Sequence, residues 1–440
     1  MRRVVLILFS LLGCPLSAQL VENVAARTDP TQTYTLFLPK SYDGKRPHPV
    51  LLVFDPRGRG THAAQIFTGA AEEYGWIVIS SNQTRSDGSH EPNERAIRAL
   101  LPELGRYAVN VDRVYAAGFS GTAMMAWGVG IATGRLAGVI GVGGRFVPEV
   151  PPAKFNFAHY GFAGERDFNH REMRLVDEAL EGRGVPHRFQ PFDGEHQWIP
   201  PTLAREAFGW FEALAGNPVA YEADLAAADA LRGLAALRRY RAIARTYVGR
   251  ASAGPEEGRA EAHRTLSGKI AALENDPAVQ RELAEEQKGD EVEADYVRGL
   301  FERLPSILAA ADLVKAFRIP DLRRRAGRGG GEGAAARRLL EAVYAQTSFR
   351  LTQQFFARRE YARAAAVLGV AVAIHPERWD AWYNLAAAHA RAGHRRQAFA
   401  ALEKAIAAGF RKAKHLEADE DFASLRDDAR FRKALASASQ

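Results

Sequence analysis

The chain has 440 residues, of which 47% are hydrophobic and 25% are charged. This composition is typical of a folded globular protein and excludes a disordered or fibrous chain. A chain of this length exceeds a single comfortable core, so we expect two domains. The formal net charge of +7 is modest. No run of Lys and Arg is long enough, or interleaved with aromatic residues, to indicate a nucleic-acid partner.

The first 18 residues have the pattern of a secretory signal peptide cleaved after Ala18: two arginines, a short apolar run over 4–12, then small residues. The run is far shorter than the ~20 residues that a membrane span needs. A second interpretation is a lipoprotein signal ending at Cys14, although Pro15 directly after it argues against this. We expect an exported protein, periplasmic or secreted, with membrane association only if Cys14 is lipidated. Cys14 is the only cysteine, so no intramolecular disulfide is expected in the mature protein.

Strand and helix patterns alternate along the first half of the chain. The predicted strands are 33–39, 48–54, 76–80, 111–117, 136–142, 155–162 and 187–192, and the predicted helices are 63–74, 93–107, 122–131, 171–180 and 203–214. This alternation predicts an α/β fold with an open, mostly parallel sheet covered on both faces. Functional sites in such sheets lie at the carboxyl ends of the strands.

The segment Gly118-Phe119-Ser120-Gly121 stands where a predicted strand changes directly into a predicted helix. This pattern is typical of a nucleophile elbow, in which a serine occupies a strained turn between residues without bulk. The fifth position of the usual G-x-S-x-G motif is Thr122 instead of glycine. The motif alone is therefore incomplete.

Asp167 and His196 supply the support that the motif needs, because each follows a predicted strand. The chain order Ser120, Asp167, His196 is that of α/β-hydrolases and of no other common serine-hydrolase fold. A serine hydroxyl needs an imidazole to take its proton, and a carboxylate fixes the imidazole tautomer. We therefore predict these three as catalytic residues.

The oxyanion formed during acyl transfer needs hydrogen-bond donors. One is the backbone N–H of Gly121. The second is expected from the loop 55–60, where Pro56 has no N–H and Arg57 is the better donor. In the same loop, Asp55 can fix the turn through side-chain hydrogen bonds.

Phe119, Trp198 and Asp55 are candidates for lining the substrate pocket. Arg57 and Arg59 hint at a negatively charged acyl or leaving group. The sequence carries no metal cluster, phosphate loop or cofactor signature, so neither metal nor cofactor is expected.

Residues of about 33 to 215 resemble the α/β-hydrolases, in particular secreted esterases such as poly(3-hydroxybutyrate) depolymerases and feruloyl esterases. The resemblance rests on Gly118-Phe-Ser-Gly121, on Gly164-Glu-Arg-Asp167 with Asn169 nearby, and on Glu195-His-Gln-Trp198. It implies that Ser120 is the nucleophile, Asp167 the acid and His196 the base, acting on a small-molecule or polymeric ester. The chain departs from these esterases at Thr122, at Asp55-Pro56 and at Glu195, which bears on the choice of substrate.

Beyond Gly216 only helical patterns appear, so we predict a signal peptide (1–18), an α/β-hydrolase domain (19–216) and a helical domain (217–440). The predicted helices are 223–248, 256–273, 279–286, 291–304 and 306–317, and the glycine-rich segment 325–333 predicts a flexible break. Small and apolar residues then recur with a period of 34, clearest over 345–410. They are Leu351, Ala364, Leu368 and Ala371, repeated as Leu385, Ala398, Leu402 and Ala405.

This period resembles the tetratricopeptide repeat, which implies a surface for a peptide or partner protein. A helical lid or spacer that only packs on the hydrolase is the alternative. For the whole chain we expect an exported serine hydrolase that cleaves carboxylic esters through an acyl-enzyme at Ser120. The alternatives are a catalytically inactive hydrolase that serves as an envelope scaffold, and a serine peptidase or thioesterase.

Overall fold

The computed structural model describes residues 19–86, 88–144, 155–181, 183–247 and 256–439. The predicted signal peptide and Cys14 lie outside these residues. The chain divides into two compact units, residues 1–280 and 281–440. In the described part of the chain, no helix combines the length and the apolar character needed to cross a membrane.

The first unit is built on one eight-stranded sheet. Its strands are β1 (Gln19–Ala25), β2 (Thr33–Leu38), β3 (His48–Phe54), β4 (Ile77–Ser81), β5 (Val109–Phe119), β6 (Gly138–Val142), β7 (Ala158–Gly164) and β8 (His187–Phe192). Their order is β1-β2-β4-β3-β5-β6-β7-β8. β2 is antiparallel to both neighbours, and every pairing from β4 to β8 is parallel. The predicted α/β class with a mostly parallel sheet is confirmed.

Helices cover both faces of this sheet. They are α1 (Gly60–Tyr74), α2 (Glu91–Leu100), α3 (Gly121–Thr133), α4 (His170–Glu181), α5 (Pro201–Leu214), α6 (Pro218–Asp229), α7 (Gly233–Tyr247) and α8 (Glu256–Glu274). In β3, Leu51 and Val53 join the apolar cluster on one face, and Val50 and Leu52 join the cluster on the other. Burial on both sides explains why this strand is a continuous apolar run.

The helices α6 to α8 belong to the first unit, whereas the sequence predicted a boundary at 216/217. Tyr240 and Ile243 share one apolar cluster with the sheet. A buried ionic contact adds to this, since Asp224 of α6 accepts hydrogen bonds from Arg188 of β8 (3.0 and 2.5 Å) and from Arg239 of α7 (2.8 Å). A helical pattern shows which face is buried but not the partner, so the sequence could not place this boundary.

The second unit is helical. Its helices are α9 (Pro277–Ala309, beginning in the last residues of the first unit), α10 (Leu313–Ala316), α11 (Ile319–Ala326), α12 (Gly330–Ala345), α13 (Leu351–Ala357), α14 (Tyr361–Ile374), α15 (Trp379–Arg391), α16 (Arg395–Ala407), α17 (Ala413–Ala418) and α18 (Ala429–Ala438). The helices predicted at 279–286 and 291–304 are one helix, α9, which continues through Pro305.

The glycine-rich segment 325–333, predicted as a flexible break, contains the start of α12. A Cβ placed on Gly331 would lie 1.6 Å from the carbonyl oxygen of Glu285. The absent side chain thus lets α12 approach α9 closely, which corrects the prediction. Further along the chain, the small residues of the 34-residue period are fully buried at Ala364, Ala371 and Ala398. The assignment of these helices to tetratricopeptide repeats stays a prediction.

Candidate active site

Ser120 lies between the end of β5 and the first residue of α3, in a conformation that non-glycine residues rarely adopt (φ 55°, ψ −129°). Such a conformation costs about 1–3 kcal/mol and persists only where the surroundings impose it. Here the Ser120 N–H donates to the carbonyl oxygen of Val142 in β6 (2.8 Å). A Cβ on Gly118 would lie 2.1 Å from the carbonyl oxygen of Thr122, so this turn excludes a side chain there.

Ser120, His196 and Asp167 are joined in one chain of hydrogen bonds. His196 Nε2 lies 2.9 Å from Ser120 Oγ, and His196 Nδ1 lies 3.0 Å from both carboxylate oxygens of Asp167. Because an ionised carboxylate only accepts, we assign the proton of the neutral ring to Nδ1, and Nε2 is then free to accept the serine proton. The loops that follow β5, β7 and β8 bring these residues together.

Neighbouring groups hold the histidine and the aspartate in place. The His196 ring packs between Phe119 and Phe168, with ring centroids 4.6 and 4.3 Å away. The Asn169 N–H donates to Asp167 Oδ1 (2.8 Å), and its side-chain amide donates to the carbonyl oxygen of Gly143 (2.6 Å). Sequence reasoning did not single out Phe168 or Gly143, because neither belongs to a motif.

The loop after β3 differs from the expectation for Arg57. Its N–H donates to Asp55 Oδ1 (2.8 Å), the Arg59 N–H donates to the same oxygen (3.1 Å), and the Gly58 N–H donates to the Asp55 carbonyl (3.2 Å). The Arg57 N–H therefore already has an acceptor within its own loop, as the alternative turn role of Asp55 implied. The Gly121 N–H belongs to the first turn of α3, where the helix itself offers no acceptor.

The three candidates for the substrate pocket are largely buried. Asp55 is fully buried, and Phe119 and Trp198 are each 7% exposed. Trp198 Nε1 donates to Asp55 Oδ2 (2.9 Å), and the Arg59 guanidinium donates to both Asp55 oxygens (3.2 and 3.1 Å). Burial alone raises the pKa of Asp55, but these hydrogen bonds outweigh it and lower the pKa below its usual value. Asp55 and Trp198 thus support the loops, and the role of the three residues in lining a substrate pocket stays a prediction.

Thr122, the residue that departs from the motif, connects the elbow to β3. Its buried hydroxyl accepts the N–H of Phe119 (3.1 Å) and lies 2.6 Å from the carbonyl oxygen of Phe54. Thr122 therefore has a structural role at the position that glycine occupies in the usual G-x-S-x-G motif.

The loop after β4 also reaches the elbow, which the sequence did not indicate. The Ser86 N–H donates to the carbonyl oxygen of Pro56 (3.0 Å), and the Thr84 hydroxyl donates to that of Asp55 (3.0 Å). A Cβ on Gly121 would lie 2.6 Å from Cβ of Ser86. The loops after β3 and β4 therefore meet beside Ser120.

The strand order, the antiparallel β2 and the elbow after β5 define an α/β-hydrolase fold. Family models and curated proteins give no match to the sequence. Among solved structures, this chain is similar to S-formylglutathione hydrolase (FrmB) from Staphylococcus aureus, with 14% identity, 46% of this chain and 99% of that chain covered, and a TM-score of 0.37.

Two other similar structures are likewise hydrolases. The fluorophosphonate-binding serine hydrolase FphF of Staphylococcus aureus has 13% identity, covers 44% of this chain and 97% of its own, and has a TM-score of 0.36. A ferulic acid esterase has 16% identity, with 44% and 96% covered and a TM-score of 0.34.

Proposed function

We propose that this protein is a serine hydrolase that cleaves carboxylic esters through an acyl-enzyme at Ser120. The observation that carries the proposal is the continuous hydrogen-bonded series of Ser120, His196 and Asp167, with the serine held in a strained turn. Strain of this kind is found where a side chain must be presented for chemistry.

In the proposed reaction, Ser120 Oγ attacks the ester carbon while His196 Nε2 takes the hydroxyl proton. The bond from carbon to the alcohol oxygen then breaks, and the alcohol leaves with the proton from His196. Water next attacks the acyl-enzyme, His196 takes a proton from it, and the acid is released as the proton returns to Ser120. Asp167 stabilises the positively charged imidazole in both halves.

The negative charge on the carbonyl oxygen needs stabilisation in both tetrahedral intermediates. The Gly121 N–H directly follows the nucleophile and opens α3, and the N-terminus of a helix favours negative charge. We therefore expect the oxyanion to accept the Gly121 N–H.

Reaction with a fluorophosphonate probe tests the nucleophile directly. We expect the wild-type protein to be labelled and Ser120→Ala to be unlabelled, with kcat for a 4-nitrophenyl ester reduced by about 10⁴-fold or more. Ser41→Ala, at an exposed serine, is the matched control and should behave as wild type. Equal labelling of wild type and Ser120→Ala would overturn the assignment of the nucleophile.

The loop after β3 favours the second candidate, an inactive hydrolase that acts as an envelope scaffold. The N–H groups of Arg57, Gly58 and Arg59 all have acceptors within the loop, which leaves the Gly121 N–H as the expected donor to the oxyanion. A wild-type protein that folds but neither labels nor hydrolyses would support this candidate. A serine peptidase or thioesterase would label like an esterase and would prefer an amide or thioester substrate.

We also propose export, with cleavage after Ala18, on the basis of the sequence of residues 1–18. The N-terminal residue of the protein purified from the periplasm or medium tests it, and an unprocessed N-terminus would contradict it.

We propose partner binding for the helical unit, where Phe349 is 41% exposed. A peptide that binds the wild-type protein and not Phe349→Ser would support this role.

A further inference from the structure

Arg57 and Arg85 face each other across the loops that follow β3 and β4. They form an isolated antiparallel bridge. The Ser86 N–H donates to the carbonyl oxygen of Pro56, which makes Arg57 and Arg85 a non-hydrogen-bonded pair. Paired residues of this kind have Cα atoms about 4.5 Å apart and project their side chains from the same face. The two arginine side chains therefore leave the backbone next to each other.

The position of this pair is fixed by hydrogen bonds to the backbone. The side chain of Asn93 accepts the Arg85 N–H (2.8 Å) and donates to the Arg85 carbonyl oxygen (2.7 Å). On the other loop, Asp55 accepts the Arg57 N–H. Both backbones are thus held in place, while both arginine side chains are exposed and can adjust to a ligand.

Neither guanidinium of this pair has a hydrogen bond or ion pair with any residue that the structure describes. Arg59, which the sequence proposed together with Arg57 as a contact for an anion, is instead paired with Asp55 (3.1 Å). Like charges directly opposite each other on paired strands are destabilising. A carboxylate between Arg57 and Arg85 relieves this repulsion and matches the fork of guanidinium donors.

The pair lies beside the nucleophile elbow, on the side of Gly121. Ser86, next to Arg85, contacts Gly121, and Pro56, next to Arg57, accepts the Ser86 N–H. The residues next to both arginines thus lie beside the nucleophile elbow, so an anion bound by the pair would lie near Ser120.

We propose that Arg57 and Arg85 bind a carboxylate carried by the substrate, so that the preferred substrates are hemiesters of dicarboxylic acids or similar acidic esters. This inference rests on the proposed hydrolase function and narrows its substrate class. The sequence predicted that the backbone N–H of Arg57 binds the oxyanion. In this proposal its side chain binds the substrate carboxylate instead, together with Arg85, which belongs to no motif.

The test compares two esters that differ in charge and by one methyl group: the mono-4-nitrophenyl ester of glutaric acid and its methyl-capped diester, with spontaneous hydrolysis subtracted. The measured quantity is the ratio of kcat/KM for the acid to kcat/KM for the capped ester. We expect a ratio of about 10 or more at low ionic strength, decreasing as salt screens the exposed charges. Arg57→Gln and Arg85→Gln should each reduce this ratio by about five- to tenfold.

Arg135→Gln is the matched control, because Arg135 is exposed and precedes β6, at the amino edge of the sheet. It should keep the wild-type ratio. A wild-type protein that hydrolyses the capped ester at least as well as the acid, or a ratio unchanged in both glutamine variants, overturns this inference and leaves the esterase function standing.

Binding without turnover separates the two proposals. Glutarate titrated into Ser120→Ala by calorimetry should bind more tightly than into Ser120→Ala combined with Arg57→Gln, whether or not the wild type hydrolyses esters. Equal affinity, or no binding to either protein, overturns the inference. Inorganic phosphate competing as well as glutarate would show a general anion site and would overturn the preference for a carboxylate.

Discussion

The backbone of Gly143 lies against the carboxylate of Asp167: a Cβ placed on Gly143 would be 2.6 Å from Asp167 Oδ2 and 3.2 Å from Nδ1 of His196. Gly143 directly follows β6 and has a φ of 52°, and its carbonyl oxygen accepts the side-chain amide of Asn169. Gly143, which follows β6, therefore limits the space around the contact between Asp167 and His196.

Gly143→Ala should therefore impair the proposed hydrolysis. The added methyl group must displace the carboxylate or the imidazole, and a displacement of about 1 Å in a catalytic group can lower the rate about 100-fold. Gly134→Ala is the matched control, because Gly134 also has a positive φ of 62° but only Asn156 nearby, at 3.8 Å. Both variants should lose stability, measured by urea unfolding, and only Gly143→Ala should lose kcat. Equal kcat values in the two variants would contradict this role of Gly143.

Thr122 provides the second prediction. Replacing it with valine keeps the shape of the side chain but removes the hydroxyl, which leaves the buried Phe119 N–H without its acceptor. An unpaired buried donor costs about 1–3 kcal/mol, so Thr122→Val should lower the free energy of unfolding by about that amount. Thr122→Ser retains the hydroxyl and should lose less. If Thr122→Ser were the less stable of the two, the methyl group and not the hydroxyl would be the stabilising part.

The sequence predicted the part of the site that follows from strand order. Ser120, Asp167 and His196 each follow an apolar strand, and parallel strands place their carboxyl ends at one edge, so their approach could be inferred from chain position alone. The α/β class followed from the same alternation, while β1 was not predicted, because this edge strand is mostly exposed and carries no continuous apolar run.

What the sequence did not predict depends on contacts between loops. The pattern around Arg57 is the same whether its N–H faces a substrate or Asp55, and only the folded loop decides between these acceptors. The pairing of Arg57 with Arg85 joins residues 28 positions apart with no shared motif. Likewise, the helical pattern of α6 marks Asp224 as a residue of that helix but not as the partner of a buried arginine.

The buried contact between Arg188 and Asp224 gives the third prediction. Arg188 is 2% exposed, and Asp224 carries the charge that balances it. Burial raises the pKa of Asp224, but Arg188 and Arg239 outweigh this effect and lower it below its usual value. Asp224→Asn should destabilise the first unit by about 3–5 kcal/mol, because it leaves a buried charge uncompensated.

Asp229→Asn is the control for this variant. It also removes a carboxylate of α6 that contacts a cation and a tyrosine, Lys269 and Tyr240, but this contact is largely exposed, and such pairs contribute about 0–1 kcal/mol. The comparison uses the midpoint and slope of urea unfolding followed by tryptophan fluorescence. Similar losses in the two variants would show that Arg188 is not stabilised mainly by Asp224.

A histidine in the second unit links its stability to pH. His375 Nε2 and Nδ1 lie 2.7 Å from carboxylate oxygens of Glu341 in α12 and Glu377 before α15. The hydrogen bond with Glu341 is the main cause that raises the pKa of His375, with smaller contributions from Glu377. Because the folded-state pKa is raised, the stabilisation is complete below the unfolded pKa of about 6.5 and is lost as the pH rises through the folded pKa.

We therefore expect unfolding of the second unit to need less urea at about pH 8.5 than at about pH 5.5, with the change centred above the ordinary histidine pKa. His375→Gln should flatten this dependence, because glutamine does not titrate and cannot carry the positive charge of the imidazolium. His415→Gln, at a histidine whose side chain is 60% exposed and 3.9 Å from Asp419, is the control and should keep the wild-type slope. Urea unfolding followed by circular dichroism at several pH values measures the effect. If the wild-type stability rose with pH in this interval, and His375→Gln showed the same dependence, the His375 imidazolium would not stabilise the unit.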